Sequence, residues 1–333
     1  MVGICNRSDA SNEILYLNFN QDSSCISVGT RNGYRIYHVE PFEKCFHETN
    51  GGIGCVEMLF CTSLIALVGA GETPAFSPRR LRIWNTKTKT VICELNFITA
   101  VLAVQMNRDR VIVTLERKMY IFDLHTMSTL ETLDIAPMST QSLPLNVLSC
   151  DKKGYLAFPS GSKVGEILLY DTMNLNVVNA INAHTSAIKV MAFNQTGTLL
   201  ATASEAGTLI RVFEIPTGKK KYSFRRGSYG VCIFGLAFNA QSTLLVASSE
   251  TDTVHVFALS EKDTPRKERA DSGETKMENG VSTQFRGLLN MPTTLMEGTR
   301  AFATARLRTV GVRTLCTIHG PEQGETVAKL LVR

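Results

Sequence analysis

The sequence has one tryptophan, and aromatic residues fill only 8% of its 333 positions. Charge of one sign is also scarce, with a net excess of +5. That excess favours anionic partners only weakly and does not by itself separate nucleic acid from a membrane surface. No run approaches the roughly 18 to 20 apolar residues of a membrane-spanning helix. Met1 to Glu13 lacks the apolar core of a signal peptide. The nine cysteines contain no C-x-x-C pair, so neither a disulfide framework nor a metal site is expected. Most of them sit in apolar, strand-like runs, which predicts buried free thiols in a reducing compartment. The sequons at Asn6 and Asn194 are then idle. No residues are arranged as a nucleophile with its general base, so the chain is not expected to be an enzyme, and no cofactor is expected.

What is present is a rhythm. An apolar strand, a polar turn, a second apolar strand ending in small residues, a turn and a third strand recur about every forty residues, the spacing of propeller blades. The first copy runs Ile14 to Phe19, Cys25 to Gly29 and Tyr34 to Tyr37. The clearest runs Ile188 to Phe193, Leu199 to Ala203 and Thr208 to Phe213, and the next repeats it from Val231 to Phe257. A seventh copy begins near Arg300 to Thr304 and continues at Thr314 to Ile318. These repeats predict an all-β chain, a single seven-bladed β-propeller domain over residues 1–333. The last blade is expected to lack one or two strands, which would leave an open edge. A β-sandwich or two smaller β domains would not give such even spacing.

One stretch breaks the rhythm. Residues 261–284, within blade six, are charged and nearly free of apolar side chains, and read as a flexible loop. The apolar residues Phe285 to Met296 that follow have two readings, a segment dipping into a bilayer interface or the outer strand of blade six.

Phe224-Arg225-Arg226-Gly227 follows the basic run Lys219 to Lys221. On an extended segment neighbouring side chains point to opposite sides, so two adjacent arginines serve two pockets. The guanidinium fork suits phosphate oxygens. Gly227 would permit a tight turn or a close ligand.

Phe224 to Gly227, preceded by Leu200 to Phe213 and followed by Ala247 to Phe257 and Arg300 to Leu307, closely resembles the PROPPIN family. These are phosphoinositide-binding propellers that include the WIPI autophagy proteins. The resemblance covers nearly the whole chain. It implies two headgroup sites on the rim. The first would comprise His184, Thr202, Ser204, Gly207, Thr208, Arg211 and Arg225, with Thr202 where the family often has serine and with the Gly207 N–H bared. The second would comprise Arg226, Gly227, Ser249, Thr253 and His255, weakened by a short Ser228-Tyr229-Gly230 segment. A histidine beside phosphate holds its proton longer, so binding should strengthen on acidification. His184 also matches the structural histidine of WD repeats, although the partner aspartate is missing and Phe213-Glu214 replaces Trp-Asp.

The resemblance implies partners as well. Pro78, Arg79 and Arg80 fall where relatives engage the autophagy lipid-transfer protein, and Arg108 and Arg110 where some contact the conjugation machinery. The expected function is a cytoplasmic, peripheral effector of phosphatidylinositol 3-phosphate and phosphatidylinositol 3,5-bisphosphate. It would act on phagophore or preautophagosomal, endosomal or vacuolar membranes. A protein-only propeller scaffold is the alternative. Nucleic-acid binding through Lys219 to Arg226 is the weakest reading, because stacking aromatics are not read as interleaved with the basic residues there.

Overall fold

The computed structural model describes residues 13–137, 145–259, 298–307, 311, 313–319 and 329–332. The described residues form six antiparallel blades and a separate two-stranded sheet. Blade one is Ile14–Phe19, Cys25–Thr30, Gly33–His38 and Glu43–Glu48. Blade two is Ile53–Met58, Leu64–Gly69, Arg80–Asn85 and Thr90–Asn96, and blade three is Ala103–Met106, Arg110–Thr114, Lys118–Asp123 and Thr129–Asp134. Blade four is Val147–Leu148, Tyr155–Pro159, Glu166–Asp171 and Asn176–Asn182. Blade five is Ile188–Phe193, Leu199–Ser204, Leu209–Glu214 and Lys219–Arg225, with Thr299–Arg300 added at its edge. Blade six is Ile233–Phe238, Leu244–Ser249, Thr253–Ala258 and Ala303–Arg306.

The first strands of successive blades neighbour one another and, with their turns, surround a central channel of about 770 Å³. Middle strands such as Cys25–Thr30 and Leu199–Ser204 are buried along their whole length. Both faces of a blade are covered by neighbours, so these strands read as continuous small or apolar runs. A buried asparagine recurs in the first turn of blades one, three, five and six. The side-chain oxygens of Asn20, Asn107, Asn194 and Asn239 each accept backbone N–H groups that begin the second strand. The turn before the outer strand is held in the same way by Asn85, Asp123 and Asp171. These caps satisfy backbone donors that the sheet ladder leaves over.

Two expectations are corrected here. The seven-bladed count becomes six, because the residues assigned to a seventh blade belong elsewhere. Thr299–Arg300 pairs in parallel with the outer strand of blade five, and Ala303–Arg306 completes blade six against Thr253–Ala258. Among the described residues, Cys316–His319 and Lys329–Val332 remain, and they pair with each other. This short sheet lies between blade six and blade one. Ser248 donates to the Thr314 carbonyl at 2.8 Å, and Thr317 donates to the Ser23 hydroxyl at 2.9 Å. The second correction concerns the thiols. Of the described cysteines, Cys25, Cys55 and Cys316 are buried, but Cys45 and Cys61 are exposed and the others half-buried. Cys45 and Cys93 lie on outer strands, where one face meets solvent, and Cys61 lies in the first turn of blade two. The loop at 261–284 and the apolar residues 285–296 lie outside the described residues.

Candidate functional site

Phe224 fixes the motif. It is 1% exposed, and its ring stacks on Phe257 of blade six at 4.9 Å and beside Tyr222 at 5.9 Å. His255 continues the row, its ring 6.2 Å from that of Phe257. The aromatic seam between blades five and six thus sets the height of the arginines that follow. Tyr222 and Phe224, the aromatics inside the basic run, are 5% and 1% exposed and offer no stacking surface.

The register decides which way each arginine faces. Thr202 lies opposite Arg211, Arg211 opposite Ser223, and Leu209 opposite Arg225. Directly paired residues share a face, and residues two apart share it too. Thr202, Ser204, Arg211 and Arg225 therefore lie on one face of blade five, together with Leu200 and Phe213, which pack on blade four. Phe224 lies on the opposite face, in the cluster shared with blade six.

Arg226 leaves the strand on that second side. Its backbone N–H bonds the Thr208 carbonyl at 2.8 Å, and its guanidinium donates to the carbonyls of Gly207 and Tyr229. In blade six, His255 lies opposite Ala247, so Ser249, Thr253 and His255 share the face that packs on blade five. The Arg226 charge reaches His255. Burial first, and then Arg226, hold the imidazole below its ordinary pKa of 6.5. Burial also lowers the Arg226 pKa.

Individual residues differ from the sequence expectation in depth. Arg225 is 7% exposed and Arg226 half-buried, so these are not freely waving surface cations. Thr202 is wholly buried, and its hydroxyl meets His184 Nε2 at 2.9 Å and the Arg211 carbonyl at 3.3 Å. Its place is beneath His184, holding the ring within the blade much as the structural histidine of a WD repeat is held. Arg211 reaches back to the Ala183 carbonyl at 2.8 Å. Ser249 shares a hydrogen bond with Thr251, and Thr253 with Asp252.

Gly207 does not bare its N–H, which bonds the Ser204 carbonyl at 2.9 Å. The glycine is needed for shape. Its φ is +61°, and a Cβ there would lie 1.7 Å from the Val231 carbonyl oxygen. Gly207→Ala is therefore expected to cost about 2 to 4 kcal/mol, from left-handed strain plus the clash. A denaturant titration checks this, and an unchanged midpoint would refute it. Among the described residues, an added Cβ at Gly227 meets nothing within 4 Å.

The second set of surface residues divides sharply. Pro78 and Arg79 are exposed. Arg80 is half-buried and ion-paired with Glu94 at 3.3 Å. Arg108 is exposed, its guanidinium 4.6 Å from the centre of the Phe60 ring. Arg110 is corrected as a docking residue. It is 9% exposed, donates to the Thr172 and Asp109 carbonyls and pairs with Asp123 at 3.2 Å. The Thr172 bond joins blade three to blade four and the others lie within blade three, so its charge is spent inside the fold.

The sequence missed residues that the returning chain adds. Arg300 is paired with Arg225, Thr304 with His255 and Arg306 with Thr253. Their basic and hydroxyl character was visible, but nothing local says which strand they border.

Among the described residues no group of His, Cys, Asp and Glu could hold a metal ion. A propeller with paired arginines and flanking hydroxyl and imidazole groups at one end of adjacent blades defines a ligand-binding β-propeller. The chain belongs to the PROPPIN family, whose profile matches residues 14–332. PROPPINs are binding propellers, and this chain is not an enzyme.

Curated relatives agree. Autophagy-related protein 18 of Yarrowia lipolytica is 42% identical over 301 residues, covering 83% of this chain and 75% of that protein. The Autophagy-related protein 18 sequences of Mycosarcoma maydis and Dictyostelium discoideum are each 46% identical, over 75% and 74% of this chain. The match spans only 60% and 65% of those two proteins. Among solved structures, the complex of KlAtg21 with the coiled-coil of AgAtg16 aligns with a TM-score of 0.71 at 30% identity, over 94% of this chain and 90% of that one. Kluyveromyces lactis Hsv2 aligns with a TM-score of 0.69 at 22% identity, over 92% and 87%, and shares the fold.

Proposed function

We propose that this autophagy-related PROPPIN is a peripheral membrane effector. It binds phosphatidylinositol 3-phosphate and phosphatidylinositol 3,5-bisphosphate at two rim sites and recruits autophagy proteins to a forming membrane. The observation that carries the reading is the register of blade five. It sends Arg225 to the blade-four side, while Arg226, just past the strand end, lies close enough to His255 of blade six to depress its pKa. Arg225 has Ser204 and His184 on its side, and Arg226 has Ser249, Thr253 and His255 on the other. A phosphate monoester offers between one and two charges and several acceptor oxygens, which guanidinium and hydroxyl donors satisfy.

Tyr229 and Phe302, 83% and 63% exposed, flank the same rim and suit the boundary between headgroups and acyl chains. Two weak sites on one rigid body raise membrane affinity through effective concentration. Pro78 and Arg79, in the loop before the third strand of blade two, and Arg108, in the first turn of blade three, are proposed as two separate protein-facing surfaces. The coiled coil in the KlAtg21 complex supports a helical autophagy partner. The test is vesicle co-flotation. Binding to phosphatidylcholine vesicles that contain the 3-phosphate lipid, and none without it, is expected. Equal flotation in both would favour the protein-only scaffold.

The histidine makes a pH prediction. In the free protein the His255 pKa lies below 6.5, so the ring is neutral near pH 7. A bound phosphate favours the imidazolium, so binding takes up a proton and strengthens as pH falls through the bound-state pKa. Below the free-state pKa the gain flattens. Because the phosphate itself protonates near pH 6, the readout is the ratio of wild-type affinity to that of His255→Gln. That ratio is expected to grow on mild acidification, and a constant ratio would exclude His255 from the site. For stability the sign is reversed. The unfolded chain takes up this proton first, so stability falls as pH drops below 6.5.

A further inference from the structure

Gly298 to Arg306 touches both proposed sites in succession. It first runs beside the outer strand of blade five, with Thr299 paired to Phe224 and Arg300 to Arg225 in parallel register. The approach is close. Gly298 has a φ of +98°, and a Cβ there would stand 3.0 Å from the Arg225 backbone nitrogen. Ala301 then packs into the cluster shared by blades five and six, and the Phe302 N–H bonds the Val256 carbonyl at 3.1 Å. From Ala303 the chain is the outer strand of blade six, with Thr304 opposite His255 and Arg306 opposite Thr253.

Paired residues share a face of their sheet. Arg300 therefore stands on the blade-four face beside Arg225. Arg306 stands on the blade-five face beside Thr253 and His255, the side toward which Arg226 emerges. Adjacent strands are about 4.8 Å apart, so two long guanidinium side chains in such a pair reach separate oxygen clusters on one inositol ring. Arg300 and Arg306 are both exposed.

We infer that this returning strand supplies a second guanidinium to each site, Arg300 to the first and Arg306 to the second, and so selects a doubly phosphorylated inositol headgroup over a singly phosphorylated one. The inference rests on the two-site reading above and names which residues read the second phosphate.

The test compares Arg300→Gln/Arg306→Gln with wild type on phosphatidylcholine vesicles carrying either the 3-phosphate or the 3,5-bisphosphate lipid. Vesicles with phosphatidylserine report general charge attraction. Loss of about tenfold or more in bisphosphate affinity is expected, with monophosphate affinity changed by no more than about twofold. Arg300→Lys/Arg306→Lys keeps the charge and loses the fork, and should recover only part of the preference. Its melting temperature, compared with wild type, confirms the fold should the glutamine variant prove unstable. Equal losses on all three vesicles, or no loss on any, would overturn the inference. Arg225→Ala/Arg226→Ala separates the two levels. If that variant still binds both phosphoinositides, the two-site reading itself has failed. If it loses both while Arg300→Gln/Arg306→Gln keeps its preference, only the added guanidinium pair is wrong.

Discussion

Arg225→Ala/Arg226→Ala is expected to abolish flotation with vesicles carrying 3-phosphorylated lipid. Hydrogen bonds to a charged group contribute about 1.5 to 3 kcal/mol each, so losing one at each site removes about 3 to 6 kcal/mol, a hundredfold or more in affinity. The single variants should differ from the double. Each keeps one intact site and loses mainly the gain from simultaneous engagement, so each is expected to bind measurably but weakly. Arg225 is 7% exposed, so its truncation also touches packing. A thermal melt beside each flotation separates lost binding from lost fold. Arg225→Lys/Arg226→Lys keeps charge but not fork geometry and should recover only part of the binding. A folded alanine double variant that floats like wild type would end the two-site reading.

Phe224→Ala is expected to produce the largest stability loss of any single change in the motif, about 3 to 5 kcal/mol. The ring is 1% exposed and is stacked between Tyr222 and Phe257. Removing it leaves a void where two blades meet, and the surrounding strands are tied into their own ladders and cannot close it. Against a typical domain stability of about 5 to 15 kcal/mol, that loss is a large share. Chemical denaturation followed by tryptophan fluorescence or circular dichroism measures it. Phe224→Leu, which fills part of the void, should cost less. An alanine variant with an unchanged midpoint would show that the seam between blades five and six carries little of the fold's stability.

The two results would separate the roles within four consecutive residues. Phe224 is pinned in the core and sets the position of the backbone. Arg225 and Arg226 take their directions from that position, and among the described residues nothing crowds Gly227. Arg211 and Thr202 support the same face from the neighbouring strands.

The local pattern of this chain determined a good deal without help from the fold. Apolar runs bounded by polar turns located the inner strands of every blade, because a strand covered on both faces must be apolar along its length. The alternation of a strand placed Arg225 and Arg226 on opposite sides, because that geometry belongs to two adjacent residues alone. Outer strands such as Glu43–Glu48 and Lys219–Arg225 were harder to read, since one face meets solvent and the apolar signal is diluted.

Only the tertiary structure decided the rest. It gave Ala303–Arg306 to blade six instead of a seventh blade, buried Arg110 between blades three and four, bonded the Gly207 N–H within its own turn, and set Arg300 beside Arg225. Each depends on which distant strand becomes a neighbour. Residue spacing measures distance along the chain. Pairing is settled by which edges remain open once the other strands have found partners, and no short window of sequence contains that information.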